Sequence, residues 1–410
     1  MQSEGGRLEG LTVQKHGVSV RDVRGIGTVC RRIKRAFESG LPIVAVISSL
    51  GQDTDRLAEL AFRLKGGMAK PAARELDMLM ASGEATTAPL VAIGLQGMGV
   101  PAVALSGLQA GIETDAAYGS AEVVRVRPVR VLRALEEGVV PVVAGFQGAT
   151  GDLDVTTLGR NGGDVTAVRL AADLGADVCE IYVSYQGIRT ADPHVVPEAR
   201  VLSQISYDEA LELATTGLHM WQPRAVEMAR RFHVRVHLRP MTGPEGGTRI
   251  VEEVPPDPSR TVCAVAHQAG VAQVRVGDVP DRPEVGADIL EPLGRCGIAA
   301  GVITHAALCG LSFTVRESDL ERAVQAVEPA VRAMGATVLA VSDLVEVSAV
   351  GVGMRGRAGV ASRMFRILAD EGINIETIAS SDIRITCTVR HRRHEQAVRA
   401  LHAAFCLDGT

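Results

Sequence analysis

Lysine is scarce in this 410-residue chain: Lys15, Lys34, Lys65 and Lys70 are the only four among 43 basic residues. Lys15 stands in the run Val13-Gln14-Lys15-His16-Gly17. A compact ammonium beside a glycine suits a phosphate, because a residue without Cβ lets the backbone approach phosphate oxygens. Glu84, in Ser82-Gly83-Glu84, offers a carboxylate, and Arg160, in Leu158-Gly159-Arg160, a guanidinium fit to hold a carboxylate bidentately. Taken singly, Glu84 reads as an exposed acid on a helix and Arg160 as half of a surface ion pair. The histidines of His391-Arg392-Arg393-His394 could ligate a metal, but a solvated turn opening a helix is the plainer reading. Gly351-Val352-Gly353-Met354-Arg355-Gly356 has the look of a dinucleotide loop and lacks the later acid. Seven scattered cysteines include no CxxC pair, so neither a zinc site nor a disulfide framework is expected, and they read as small buried residues. Trp221 reads equally well as core or as the wall of a pocket.

These residues need elements to position them. Between 11 and 250, apolar runs at 41–48 (LPIVAVIS), 100–105, 139–145, 177–183 and 234–238 read as buried strands. Stretches with apolar residues at i, i+3 and i+4 lie between them, at 53–64, 74–98, 129–137, 164–174 and 206–232. Alternation of this kind makes a largely parallel sheet covered by helices, with ligands at the carboxyl ends of the strands. A Pro- and Gly-rich linker falls near 250–262, and after it two βαββα units of about 70 residues repeat. Each is too small to bury its own sheet well, so the two are expected to pack together. Arginine abundance fits a GC-rich genome, while 3% aromatic residues and a net charge of −5 argue against a nucleic-acid partner. No run reaches the ~20 apolar residues of a membrane helix and no secretory leader is visible, so no membrane partner and a cytoplasmic location are expected.

Ordered segments along nearly the whole chain resemble the bacterial aspartokinases. They are VQKHG at 13–17, ELDMLMASGE at 75–84, SGLQAGIETD at 106–115, VVAGFQG at 142–148, DVTTLGR at 154–160 and GADVCEIY at 175–182. TADP at 190–193, ISYDEALELA at 205–214, PRAVEMA at 223–229 and GINIETIASSDIRI at 372–385 continue the series. The resemblance implies an α/β fold: a three-layer amino-acid-kinase domain over 1–255, then α+β ACT domains (βαββαβ) at 263–342 and 345–410.

By the same resemblance, Lys15 stabilises the transferred phosphoryl group, and Asp164 organises that lysine. Glu84 holds the acceptor's ammonium group, Arg160 a carboxylate, and Ser48 and Thr54 contact the acceptor through hydroxyls. Phosphoryl transfer needs in-line positioning and cations around the phosphates, with no covalent enzyme intermediate. The donor side departs from the family's motifs. Gly17 and Ser19 are kept, while Val18 and Val20 replace a glycine and a serine. Asn161 fills a glycine of the Gly-Arg-Gly-Gly-Ser-Asp run. Ser184 and Gln186 stand where the family has acids, leaving Arg189, Thr190, Asp192 and His219 as the nucleotide-side candidates.

The expected function is transfer of phosphate from ATP, with Mg²⁺, to L-aspartate or a close analogue in primary or specialised amino-acid metabolism. The other reading is a pseudokinase that binds an acidic amino acid and serves as regulatory subunit or partner. No dedicated protein metal site is expected. The ACT domains imply a homodimer or a partner enzyme. Asn374, Ile375 and Ser381 mark a weak effector strip, and Glu284, in the loop Asp281-Arg282-Pro283-Glu284, replaces a glycine of the first ACT unit.

Overall fold

The computed structural model of the chain describes residues 9–17, 22–51, 53–64, 71–216, 221–242, 246–254, 260–306, 310–405 and 407. They form two compact units: 1–188, 201–210 and 221–254 in the first, and 189–200, 211–220 and 255–410 in the second. The short segments 189–200 and 211–216 pack with the second unit, where the sequence reading places them in a domain running to 255.

In the first unit the strands are β1 (Thr12–His16), β2 (Ile43–Ile47), β3 (Ala102–Leu105), β4 (Ile112–Thr114), β5 (Val123–Val126), β6 (Val140–Ala144), β7 (Gln147–Ala149), β8 (Val155–Thr157), β9 (Val178–Val183), β10 (Gln204–Ser206), β11 (Val236–Pro240) and β12 (Thr248–Val251). Eight of them make one sheet, ordered β10-β12-β11-β9-β1-β2-β6-β3. Its neighbours are parallel except where β12 returns against β11. β2 and β6 are buried at every position, which is why they read as unbroken apolar runs.

Helices α1 (Val23–Glu38), α2 (Asp53–Leu64), α3 (Ala73–Gln96), α4 (Val129–Glu136) and α5 (Gly162–Leu174) connect these strands. α1 buries Ile26, Val29, Cys30 and Ile33 on one stripe, and Asp22 caps its start by accepting from Gly25 N–H at 2.7 Å. α3 is long and apolar enough to cross a membrane by length and composition alone. Here it is a core helix, whose Ala88, Val91, Ala92 and Leu95 join one cluster with Ala45 and Val142. The helix expected over 206–232 is two, α6 (Tyr207–Thr215) and α7 (Pro223–Arg231). Pro223 is the reason: it opens a helix readily but cannot continue one. A second sheet of four short strands, β5-β4-β7-β8, was not legible in the sequence.

The second unit holds β13 (Ala264–Gly277), α8 (Val285–Arg295), β14 (Ile303–Ala306), β15 (Gly310–Arg316), α9 (Leu320–Ala333), β16 (Thr337–Val350), α10 (Val360–Asp370), β17 (Thr377–Ser380), β18 (Arg384–Arg390) and α11 (His394–Ala404). Its six-stranded sheet, β14-β15-β13-β16-β18-β17, is antiparallel throughout. β13 and β16 each run for 14 residues through both halves of the repeat, and their pairing shifts register between Gln268 and Gln273. Ala264–Gln268 pairs with Glu346–Val350, and Val265 packs in one core with Val347, Met364, Leu368 and Leu401. The first ACT-like half is therefore inserted within the second, and the boundary expected at 342–345 falls inside one continuous strand. The other core gathers Val274, Ile289, Leu293, Phe313 and Val327.

Candidate active site

Lys15 and Asp164 face each other at the carboxyl edge of the parallel sheet. Lys15 Nζ lies 2.8 Å from Asp164 Oδ1, and both side chains are nearly buried. Side chains alternate along β1, so Lys15 faces α5 while Gln14 and His16 face the opposite side of the sheet. Asp164 sits in the first turn of α5, where a helix favours an acid. Asn161, with φ of 58°, turns the chain into that helix.

Two glycines make this corner possible. A Cβ on Gly17 would lie 2.5 Å from Lys15 Nζ and 3.3 Å from Ser48 Oγ. One on Gly163 would lie 3.3 Å from Lys15 Cε and 3.2 Å from Ser48 Oγ. Lys15, Ser48, Gly17 and Gly163 thus converge on one point, with backbone exposed where a side chain would stand.

A cavity of about 430 Å³ opens beside them. Ser48, Thr54, Glu84 and Arg160 all line it, with Asp77, Phe146 and Gly163. Glu84, on α3, is 3% exposed. Its Oε1 accepts from Ser49 N–H at 3.0 Å, while Oε2 is buried without a hydrogen-bond partner. Burial pushes the Glu84 carboxyl up to about 7, against the opposing pull of the Ser49 hydrogen bonds and the Lys15 charge. Thr54 Oγ1 donates to Ser49 Oγ at 2.8 Å, so the loop after β2 is fixed from both sides. Arg160 is exposed on the loop between β8 and α5.

Other residues hold this geometry and were not singled out from sequence. Asp77 is 1% exposed and takes three bonds, from Gly119 N–H (2.9 Å), Thr157 N–H (2.8 Å) and Thr157 Oγ1 (2.8 Å). Thr166 Oγ1 accepts from Phe146 N–H, whose residue has φ of 69°. Arg224 donates to Leu158 O at 3.0 Å and Ala121 O at 3.1 Å, bracing the loop that carries Arg160. Asp77 lies within the recognised ELDMLMASGE run, but only the fold reveals that its partners come from 42 and 80 residues away.

The amino acid kinase family matches residues 11–240, and the ACT domain family matches 347–405. The aspartokinase of Thermus thermophilus is 40% identical over 405 residues, covering 97% of this chain and 99% of its own. That of Pseudomonas aeruginosa is 39% identical over 406 residues, covering 97% and 98%. The chain belongs to the aspartokinase family. A solved aspartate kinase from Synechocystis is 36% identical, with a TM-score of 0.54 over 97% of this chain and 69% of that one. The structure of E. coli aspartokinase III in complex with aspartate and ADP has a TM-score of 0.78 over 96% and 99% at 22% identity, a likeness of fold.

Set beside the aspartokinase motifs, the donor-side candidates scatter. Ser19 and His219, with Val18 and Val20, lie outside the described residues. Arg189, Thr190 and Asp192 belong to the second unit. There Thr190 is wholly buried with its hydroxyl 2.9 Å from His402 Nε2, and Arg189 donates to Ala199 O at 2.5 Å. Asp192 Oδ1 caps its own turn, accepting from His194 N–H at 2.9 Å. Tyr185, in the stretch where the family's acids are replaced, has its hydroxyl pushed up by burial and by the Asp164 charge.

The effector strip divides as well. Ile375 lines a cavity of about 390 Å³ with Gln273, Arg275 and Ser312, while Asn374 is exposed. Ser381 closes the turn after β17, its N–H donating to Arg384 O at 2.8 Å, a strand's length away from Ile375. Glu284 takes φ of −77° at the start of α8, a right-handed value that requires no glycine.

Trp221 is 7% exposed in the core, and no metal-binding group of histidines and acids forms among the described residues. A Cβ on Gly351 or Gly353 would strike the 260–263 backbone, so that loop packs against protein. Cys30, Cys179, Cys263 and Cys387 are buried, Cys296 is exposed, and Cys309 and Cys406 lie outside the described residues.

Proposed function

We propose that this chain transfers the γ-phosphoryl group of ATP to the side-chain carboxylate of L-aspartate, giving 4-phospho-L-aspartate and ADP. The observation that carries the reading is the Glu84 carboxylate. One oxygen is anchored and the other is buried, unpartnered and beside a cavity that Arg160 and Ser48 share. An ammonium group arriving there supplies the missing partner and draws Glu84 into its ionised form. Arg160 takes the α-carboxylate and Thr54 and Ser48 orient the rest. Family membership over the full length supports the kinase reading and adds nothing for the pseudokinase.

Chemically, little is asked of the protein beyond placement and charge. The acceptor carboxylate is already ionised, so no general base is required. One of its oxygens attacks phosphorus as the bond to the ADP oxygen breaks, and Lys15 offsets the charge that builds on the phosphoryl oxygens. Asp164 fixes the Lys15 ammonium by its 2.8 Å contact. The exposed backbone at Gly17 and Gly163 fits a phosphate cradle, since a Cβ at either would fill it. A divalent cation, if Mg²⁺ as the family implies, comes held largely by the nucleotide's own phosphates.

In the second unit, β14 and β17 are edge strands, whose unpaired backbone favours pairing with another copy. A homodimer through the ACT region is part of this reading. ATP-dependent formation of an acyl phosphate from aspartate tests the catalytic core of it directly.

A further inference from the structure

On the face of the parallel sheet opposite Lys15 lies a second cavity, of about 350 Å³, between α1 and strands β1, β9 and β11. Gln14, Arg32, Arg35, Glu180, Tyr182 and Arg239 line it. None of them takes part in the reaction argued above. Three guanidinium groups and one carboxylate line it, and that carboxylate is engaged by Arg239, Gln14 and Tyr182. Glu180 Oε1 accepts from Arg239 at 2.7 Å, and Oε2 accepts from Gln14 Nε2 at 3.0 Å and Tyr182 Oη at 2.8 Å.

Arg32 is held in place but not satisfied. Its guanidinium lies 4.1 Å from the centre of the Tyr182 ring, and Nη2 donates to Met241 O at 2.5 Å. Nη1 is buried with no hydrogen-bond partner, and so is Gln14 Oε1. Arg35, one turn further along α1, stands exposed at the rim. A fixed guanidinium with a free N–H, a second cation at the mouth and an unused amide oxygen form a complementary set. They would take an oxyanion from one side and a hydroxyl or amide donor from the other. The volume suits a small molecule.

We infer that this cavity is a second ligand site of the chain, for a compact metabolite bearing a carboxylate or phosphate group together with a hydrogen-bond donor. Arg32 and Arg35 bind the oxyanion, Gln14 Oε1 accepts from the donor, and Glu180 with Tyr182 keeps both anchors in register. Buried polar groups without partners are uncommon in folded proteins, and two within one cavity point to an occupant.

Titration calorimetry on the full chain tests this, with aspartate and ADP present in excess so that the acceptor and donor sites are filled. Inorganic phosphate and citrate serve as separate probes. At least one is expected to bind with a Kd in or below roughly the millimolar range. Binding of phosphate alone assigns a phosphate ester, and of citrate alone a carboxylate. Arg32→Met and Arg35→Glu should each weaken that binding about tenfold or more. Arg35 is exposed, so Arg35→Glu reads the site even if Arg32→Met disturbs the fold, and it should leave the rate of phosphoryl transfer unchanged. No binding of either probe, or binding that both variants leave intact, overturns the inference.

Discussion

The Ser49 N–H donates to Glu84 Oε1 across 3.0 Å, joining the loop after β2 to the middle of α3. That single bond aims a buried carboxylate at the cavity and leaves its other oxygen open. Burial raises the Glu84 carboxyl to about 7. Because the folded value lies above the unfolded one, the unliganded protein carries no penalty from Glu84 below about 4.5, where both states are protonated. Its stability then falls as pH rises toward 7, by about 3 kcal/mol at ~1.4 kcal/mol per pH unit. Glu84→Gln should flatten that slope, as followed by denaturant unfolding between pH 4.5 and 7.5. A slope identical to wild type would show that Glu84 does not titrate there.

Aspartate binding should carry the same signature with the opposite sign. An ammonium group needs the ionised carboxylate, so KM for aspartate should rise as pH drops below 7, and wild-type binding near pH 6 should release a proton. Glu84→Gln and Arg160→Ala should each weaken aspartate by roughly a hundredfold, since each leaves one charge of the ligand unpaired. Thermal shift with saturating aspartate is the check.

Gly17 and Lys15 make a paired prediction. Gly17→Ala places a methyl where Lys15 Nζ now sits, and that side chain is flexible enough to move aside. Transfer should therefore fall by roughly 10²–10³-fold, as expected when a charge-stabilising group is misplaced, with little change in folding stability. Lys15→Met should match that loss in kcat while aspartate still binds. Equal kcat in Gly17→Ala and wild type would remove Lys15 from the transfer step.

Asp77→Ala removes three hydrogen bonds from a buried carboxylate and strands their donors. Denaturant unfolding should report a loss of about 2–3 kcal/mol, and KM for aspartate should rise because the Gly119 loop and β8 both border the cavity. A stability change under ~0.5 kcal/mol would mean that solvent takes over those donors.

On the donor side, Val18→Gly, Val20→Ser, Ser184→Asp and Gln186→Asp together should lower KM for Mg·ATP. Steady-state kinetics at saturating aspartate read the effect. Light scattering of the full chain should give twice the mass of one 43.2 kDa chain.

Five of the eight strands of the parallel sheet were legible because they read as plain apolar runs, as at Ile43–Ile47, whereas β1, β10 and β12 are short and carry polar residues and were not. The pairing of Lys15 with Asp164 was implied by the resemblance to the aspartokinases, although nothing in the sequence says that Gly17 and Gly163 guard the same atoms. What stayed hidden depends on long-range pairing. Thr337–Val350 reads as two strands because Asp343 interrupts the pattern, yet it is one bent strand with Asp343 at φ of 59°. The insertion of one ACT half into the other depends on Ala264–Gln268 crossing to Glu346–Val350, and no local signal carries that. Arg189 and Thr190 carry a kinase motif but belong to the second unit, where Thr190 meets His402 and Ala191, Val195 and Val196 join the core.

Phosphoryl transfer itself tests the account most directly. Aspartate, ATP and Mg²⁺ are incubated with the protein in hydroxylamine, which traps an acyl phosphate as a hydroxamate. The account predicts hydroxamate that requires both substrates, is matched by ADP, and disappears in Lys15→Met although aspartate still binds. Aspartate binding by wild type with no hydroxamate and no aspartate-dependent ADP would contradict it.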